Sequence, residues 1–198
     1  MVKNKVKEIY ENMSVNKYPH VKRVVGYAVK IAKAENLSER EIGLIKIAAL
    51  LHDVGYKKVF NEGLEDKHEL YSCEICEEIL HGQDLTEKEI SLIKEIIITH
   101  SDFDKCKTKF QKILFDADKL DKTNMGELIR KSIIMYEKFK MDDVEIFERL
   151  RFKMNDQKFH FEISRKIAEE NKKPIFESFE NYKKFLEFTD GIEKTFNF

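Results

Sequence analysis

The residues best suited to chemistry are a few imidazoles and carboxylates set in apolar company. His52-Asp53 stands at the end of the run Ala49-Leu50-Leu51. An ionised aspartate beside an imidazole at the end of an apolar helix is costly without partners, and a divalent cation partners both at once. The competing reading is structural, with His52 capping the last carbonyls of its helix and Asp53 facing water. Two further positions bear on the choice. His20 lies at the start of another apolar stripe, and Asp118 lies in Ile113-Leu114-Phe115-Asp116-Ala117-Asp118-Lys119-Leu120-Asp121, where three carboxylates interrupt an apolar helix. His20, His52, Asp53 and Asp118 together offer two imidazoles and two carboxylates from three helices. Such a set, with room left for water, suits Mn²⁺, Fe²⁺, Ni²⁺ or Mg²⁺ better than a closed tetrahedral zinc site.

Taken in order, these residues resemble the pattern of the HD-domain metal-dependent phosphohydrolases. That pattern is a His, a His-Asp pair some thirty residues on, and a distant Asp in an Ala-Asp-Lys/Arg-Leu context. It is matched here by His20, by Leu51-His52-Asp53-Val54-Gly55 and by Ala117-Asp118-Lys119-Leu120, with Ile97-Ile98-Thr99-His100-Ser101 as a further matching stretch. The resemblance covers about residues 15 to 135 and is nearest to the small stand-alone hydrolases carrying Asp-Ala-Asp-Lys/Arg-Leu-Asp. It implies an all-helical fold and hydrolysis of phosphate esters or anhydrides, often of nucleotides, at one or two divalent ions. It also places His68 and His100 where dinuclear members supply extra ligands, with Asp53 as the bridge. The alternative is that this pair lines the cleft and binds substrate phosphate.

The chemistry expected of such a site follows from the ion, which lowers the pKa of its bound water and neutralises phosphoryl oxygens. Asp53 is the expected proton acceptor as well as a ligand. Arg23, three residues after His20, and Lys122, four after Asp118, share helical faces with ligands and are candidates to hold phosphate. Lys57 follows the His52-Asp53 turn closely, and Arg130 is a more distant candidate. Each has the competing reading of a solvated charge in a chain with 36 basic residues. Asp121 is placed to orient a ligand. Val54-Gly55-Tyr56-Lys57 lacks the acidic residue that some relatives carry after the His-Asp pair, which leaves the general acid unassigned. Gly55-Tyr56 is not the signature of the cyclic-dinucleotide phosphodiesterases, which lies further downstream and includes a Pro.

The elements that must position these groups read as helices almost throughout, because apolar residues recur at helical spacing. Val2, Val6, Ile9, Tyr10 and Met13 make one stripe, and Ser14 to Pro19 reads as the connection after it. A second helix is predicted from near Pro19 to about Asn36. Ser38 with Glu41 has the spacing of a capping box and opens a third, ending near Gly55, whose segment Ile47 to Leu51 is apolar all round and belongs at the centre of a bundle. Asn61 to Asp66 reads as a loop before a helix from Lys67 to Leu80, closed by Gly82. Thr86 and Glu89 repeat the capping-box spacing and open a helix to His100, and another runs through Phe110, Ile113, Leu114 and Ala117. Three or four more stretches follow, with Pro174 and Gly191 as breaks. The expected organisation is an all-α, HD-type metal-binding domain over residues 1–140 and a helical extension over 141–198 packed on it.

Composition narrows the remaining classes. Of 198 residues, 7 are Gly and 2 are Pro, too few for a sandwich or barrel and for a glycine-loop mode of phosphate binding. Thirty-six basic against 37 acidic residues leave a formal charge of −1, which disfavours nucleic-acid binding through net charge. Three cysteines make no closed disulfide framework, and neither a signal peptide nor a membrane span is evident, so a cytoplasmic setting without membrane partners is expected. Cys73-x-x-Cys76 lies in a continuous helix without a second pair, which favours packing over metal or redox use. His81 and His160 match nothing in the pattern. The Phe-rich tail (Phe176, Phe179, Phe185, Phe188, Phe196, Phe198) suits core packing or a contact in a homodimer. The expected function is hydrolysis of a phosphate ester or anhydride of a small metabolite, with a nucleotide as first choice. The rival is a non-catalytic metal- or nucleotide-binding regulatory module.

Overall fold

The computed structural model describes residues 2–13, 17–59 and 67–196, the last eight of these by backbone alone. The expected loop at 61–66, part of the connection after the first helix, and the Phe196 and Phe198 side chains lie outside the described residues. Among the described residues ten helical segments follow one another: α1 (Val2–Glu11), α2 (Tyr18–Ala34), α3 (Glu39–Leu51), α4 (Tyr56–Val59), α5 (His68–Leu80), α6 (Glu87–Ile98), α7 (Lys109–Asp121), α8 (Met125–Phe139), α9 (Asp143–Asn155) and α10 (Glu162–Phe196). Among the described residues there is no strand, so the fold is all-α. Compactness divides the chain into one unit of residues 1–121 with 158–164, and another of residues 122–157 with 165–198.

In the first unit α2 packs on α3 and α7, α3 on α6, and α5 on α6, while α1 touches α2, α3 and α5. Both predicted capping boxes form. Ser38 accepts from the Glu41 amide and Thr86 from the Glu89 amide, and each glutamate carboxylate accepts from its cap's backbone N–H. Ile42, Ile45, Ala48, Ala49 and Leu51 of α3 are buried, in line with the apolar second half of that helix. That helix stops at Leu51, short of the expected Gly55. The chain then tightens into i→i+3 bonds, Val54 N–H to Leu51 O at 3.2 Å and Tyr56 N–H to Asp53 O at 3.1 Å, and starts the short α4.

Gly55 lets this turn press on α5. A Cβ there would collide with the His68 carbonyl oxygen and the Ser72 amide, while the Gly55 N–H donates to Ser72 Oγ at 2.9 Å. The first turn of α5, with His68, therefore lies against the His52-Asp53 turn.

The second unit has its own core of Leu128, Met135, Ile146, Leu150, Met154, Ile175 and Phe179. Here the structure corrects the expected breaks, because α10 runs unbroken through Pro174 and past Gly191. A proline removes one helix hydrogen bond and crowds the preceding turn. Tertiary burial outweighs that cost, since Lys172, Ile175 and Phe179 on either side of Pro174 are buried.

Candidate metal centre

Four histidines and three aspartates of the first unit gather at the ends of α2, α3, α5, α6 and α7. Each imidazole is fixed through Nδ1. His20 Nδ1 donates to Asp121 Oδ2 at 2.7 Å, His52 Nδ1 to Ala49 O at 2.8 Å, and His100 Nδ1 to Ile97 O at 2.7 Å. His68 Nδ1 lies 3.2 Å from Glu69 Oε2. With Nδ1 committed, Nε2 of every ring turns toward Asp53. His20 Nε2 is 3.7 Å from Oδ2, and His52, His68 and His100 Nε2 are 3.7, 3.5 and 3.6 Å from Oδ1. Asp118 Oδ1 closes the set at 3.5 Å from His20 Nε2 and 4.0 Å from His52 Nε2.

This donor set fits a divalent ion. His52 is fully buried and its Nε2 has no hydrogen-bond partner among the described residues, an arrangement that costs free energy unless a cation uses the lone pair. His68 and His100 bring their Nε2 atoms within 3.4 Å of each other while both Nδ1 atoms face acceptors. Two lone pairs so placed repel unless positive charge stands between them. Among the described residues, donor atoms close enough to share an ion occur in three groups: His20, His52 and Asp118; His52, Asp53 and His100; and His68, Glu69 and His100.

The electrostatics follow from burial and from these partners. Burial pushes the His52 pKa down to about 4, against the opposing pull of Asp53, so the ring is neutral and ligand-ready near pH 7. Burial also opposes the His20 imidazolium, but the hydrogen bond it donates to Asp121 and the charges of Asp118 and Asp53 outweigh it and raise its pKa. Burial alone would raise the Asp53 pKa; His52, Lys17, His100 and His20 hold it well below the ordinary carboxylate value. Asp121 is lowered against its burial by hydrogen bonds from His20 and Arg23.

Of the cations expected beside phosphate, Arg23 donates Nε to Asp121 Oδ1 at 2.5 Å and Nη2 to Oδ2 at 3.1 Å, and is one-third exposed. Asp121 thus ties Arg23 to His20. Lys57 is exposed on α4, in a depression lined also by Lys5, Glu8 and Asn12. Lys122 falls in the second unit, where it lines a cavity with Glu127 and Lys131, and Arg130 pairs with Glu127.

Several site residues escaped the sequence reading. Lys17 Nζ lies 2.9 Å from Asp53 Oδ2 and 3.1 Å above the Tyr56 ring, which in turn stacks on His68 with 4.2 Å between centroids. Glu69 faces His68 on one side and accepts from Ser101 Oγ on the other. Adjacency to His68 was the one signal that pointed to Glu69, and none marked Lys17. The cysteines stay outside this chemistry. Cys73 and Cys76 are buried free thiols whose pKa burial pushes up to about 11 and 12, which leaves them protonated.

Residues 18–123 match the family model of the HD domain. The chain belongs to the HD-domain family. An "Uncharacterized protein" of Clostridium beijerinckii is 37% identical over 97 residues, a match spanning 47% of this chain and 59% of that relative. Among solved structures, a predicted HD superfamily hydrolase from an uncultured Thermotogales bacterium aligns with a TM-score of 0.70 at 21% identity, over 93% of this chain and 91% of that one. An HD-superfamily hydrolase of Bacillus thuringiensis reaches 0.67 at 22% identity, over 94% and 95%. Bacillus subtilis YpgQ in complex with ADP reaches 0.67 at 19% identity, over 92% of each chain. At these identities the likeness is one of fold, and this HD domain carries a His/Asp cluster of the kind that holds a metal. No helix among the described residues is long and apolar enough to cross a membrane.

Proposed function

We propose that this HD protein is a metal-dependent phosphohydrolase acting on a phosphate ester or anhydride of a small metabolite, with a nucleotide as the leading class. The observation that carries the reading is the common orientation of four imidazoles, each tied at Nδ1 and each presenting Nε2 to Asp53. His20, His52, Asp53 and Asp118 hold the ion. A divalent cation there supplies charge neutralisation at phosphoryl oxygens and acidifies a water.

The chain's own groups do the rest. Asp53, held ionised by its cationic and imidazole neighbours, accepts the proton of the attacking water, and Lys17 at 2.9 Å keeps that carboxylate oriented. Arg23, anchored by Asp121, carries positive charge beside the ligand set for the substrate's phosphate. His68 and His100, together with Asp53, would hold a second ion. The two oxygens of Asp53 support this, since Oδ2 faces His20 and Lys17 while Oδ1 faces the other three imidazoles. The ADP complex of YpgQ, a protein of the same fold, supports the choice of a nucleotide.

The test is a nucleotide panel with Mn²⁺, Fe²⁺, Ni²⁺ or Mg²⁺, read as release of phosphate or pyrophosphate. Turnover lost in Asp53→Ala and Asp118→Ala variants that still fold supports the proposal. Absence of turnover with every ion sinks it, and tight nucleotide binding without hydrolysis points instead to a regulatory module.

A further inference from the structure

His68 is anchored differently from the other three imidazoles. His52 and His100 donate Nδ1 to the carbonyls of Ala49 and Ile97, three residues back in the chain, and His20 donates to the fully buried Asp121. The Nδ1 partner of His68 is a side chain, the Glu69 carboxylate at 3.2 Å, which also accepts from Ser101 Oγ. A bond at Nδ1 fixes one edge of an imidazole and leaves its plane to be set by what lies against its face.

Against that face lies Tyr56. Its ring stacks on the His68 imidazole with 4.2 Å between centroids and 22° between planes. Backbone sets the place of the tyrosine, since its N–H donates to Asp53 O at 3.1 Å and the preceding Gly55 abuts the His68 carbonyl and the Ser72 amide. The same ring carries Lys17, whose Nζ is 3.1 Å from its centroid and 2.9 Å from Asp53 Oδ2. One aromatic side chain therefore touches the residue that faces Asp53 Oδ1, His68 at 3.5 Å, and the residue that grips Oδ2. Stacking and cation–π contacts are directional, so the ring restrains both neighbours in angle as well as in distance.

We propose that Tyr56 is a positioning residue of the metal centre, its ring holding His68 and, through Lys17, the Asp53 carboxylate in the arrangement that admits a second ion beside the first. The inference rests on the two-ion reading given above. Tyr56 acts through His68 and Asp53, by its flat ring and not by its hydroxyl. The other donors of the first ion, His20 and His52, are held by Asp121 and Ala49 O, so the effect falls mainly on the second.

The experiment titrates the whole chain, stripped of metal, with Mn²⁺ at pH 7 by calorimetry and follows it by electron paramagnetic resonance. Neighbouring Mn²⁺ ions give a spin-coupled spectrum that an isolated ion lacks. Two ions are expected for the wild type. Tyr56→Leu weakens the second at least about tenfold, the scale for losing a contact that orients a metal ligand, and the first by less than about threefold. The coupled spectrum fades with it, while the retained first ion reports an intact fold. Tyr56→Phe keeps the ring and stays within about threefold of wild type at both ions. Wild-type affinity for two ions in Tyr56→Leu, loss of both ions together, or loss of the second in Tyr56→Phe overturns this inference alone. A single ion in the wild type sinks the two-ion reading and this inference with it.

Discussion

The His/Asp pocket of the first unit and the lysine cavity of the second are both polar clusters set among packed helices, yet they are built to opposite rules. The first gathers lone pairs and carboxylates, with Lys17 and Arg23 as flanking cations. The second sets lysines around an apolar surface, with Arg130 and Lys131 paired to its one lining carboxylate. A formal charge of −1 for the chain hides both. Net charge averages fields that ligands meet locally, so the sign of a pocket, and the ligand class it selects, has to be read cluster by cluster.

The comparison predicts that damage to one cluster leaves the other intact. The largest effect is expected for Asp53→Asn, which removes the charge toward which four imidazoles turn. Metal content by elemental analysis falls to background and hydrolysis drops by about three orders of magnitude, the scale seen when a preorganised electrostatic group is lost. The second unit, which has its own buried core, keeps its urea midpoint. Loss of both would break the comparison.

Gly55→Ala comes next. The added Cβ forces the turn and α5 apart, which costs about 1–3 kcal/mol in urea unfolding and weakens any metal binding that uses His68. Unchanged stability would contradict the close approach.

Smaller again are changes to groups that hold the imidazoles. Asp121→Asn and Glu69→Gln should each weaken metal affinity by about 10–100-fold in calorimetric titration, with kcat following occupancy and recovering at high metal. A loss that saturating metal does not restore would assign them to the reaction itself.

The pH response of the metal-free protein is the gentlest test. His52 titrates near 4 in the folded chain and at an ordinary value when unfolded, so its contribution is present above about pH 6.5 and is lost as pH falls from there toward 4, by about 3 kcal/mol in all. His20 is raised, so its contribution is full below pH 6.5 and fades as pH climbs through its folded value. The windows do not overlap. Urea midpoints should lose their acid-side slope in His52→Asn and their alkaline-side slope in His20→Asn.

Much of the fold was legible because its signals are local. Ser38 with Glu41 and Thr86 with Glu89 specify caps within four residues, and the second half of α3, Ile47 to Leu51, declares its burial by having no polar residue. At the site, a spacing of residue types drew attention to His20, His52, Asp53 and Asp118, and the structure brings these together with His68 and His100. The missing parts share a cause. Ala49 O and Ile97 O anchor two of the imidazoles, and a backbone carbonyl leaves no trace in residue type. Lys17 became part of the site through tertiary approach to Asp53 and Tyr56. Pro174 reads as a break in isolation, and only the burial of its neighbours carries the helix past it.

Asp116 accepts from the backbone N–H groups of His160 and Phe161, at 2.9–3.1 Å, although it belongs to the same helix as Asp118. Those donors are made 44 and 45 residues after it. On the ribosome, the helix carrying Asp118 is therefore finished well before the last partners of its buried carboxylate exist, and a chain released before residue 160 lacks them permanently. The first unit is closed late in synthesis, by a short returning segment rather than by the end of its own main sequence.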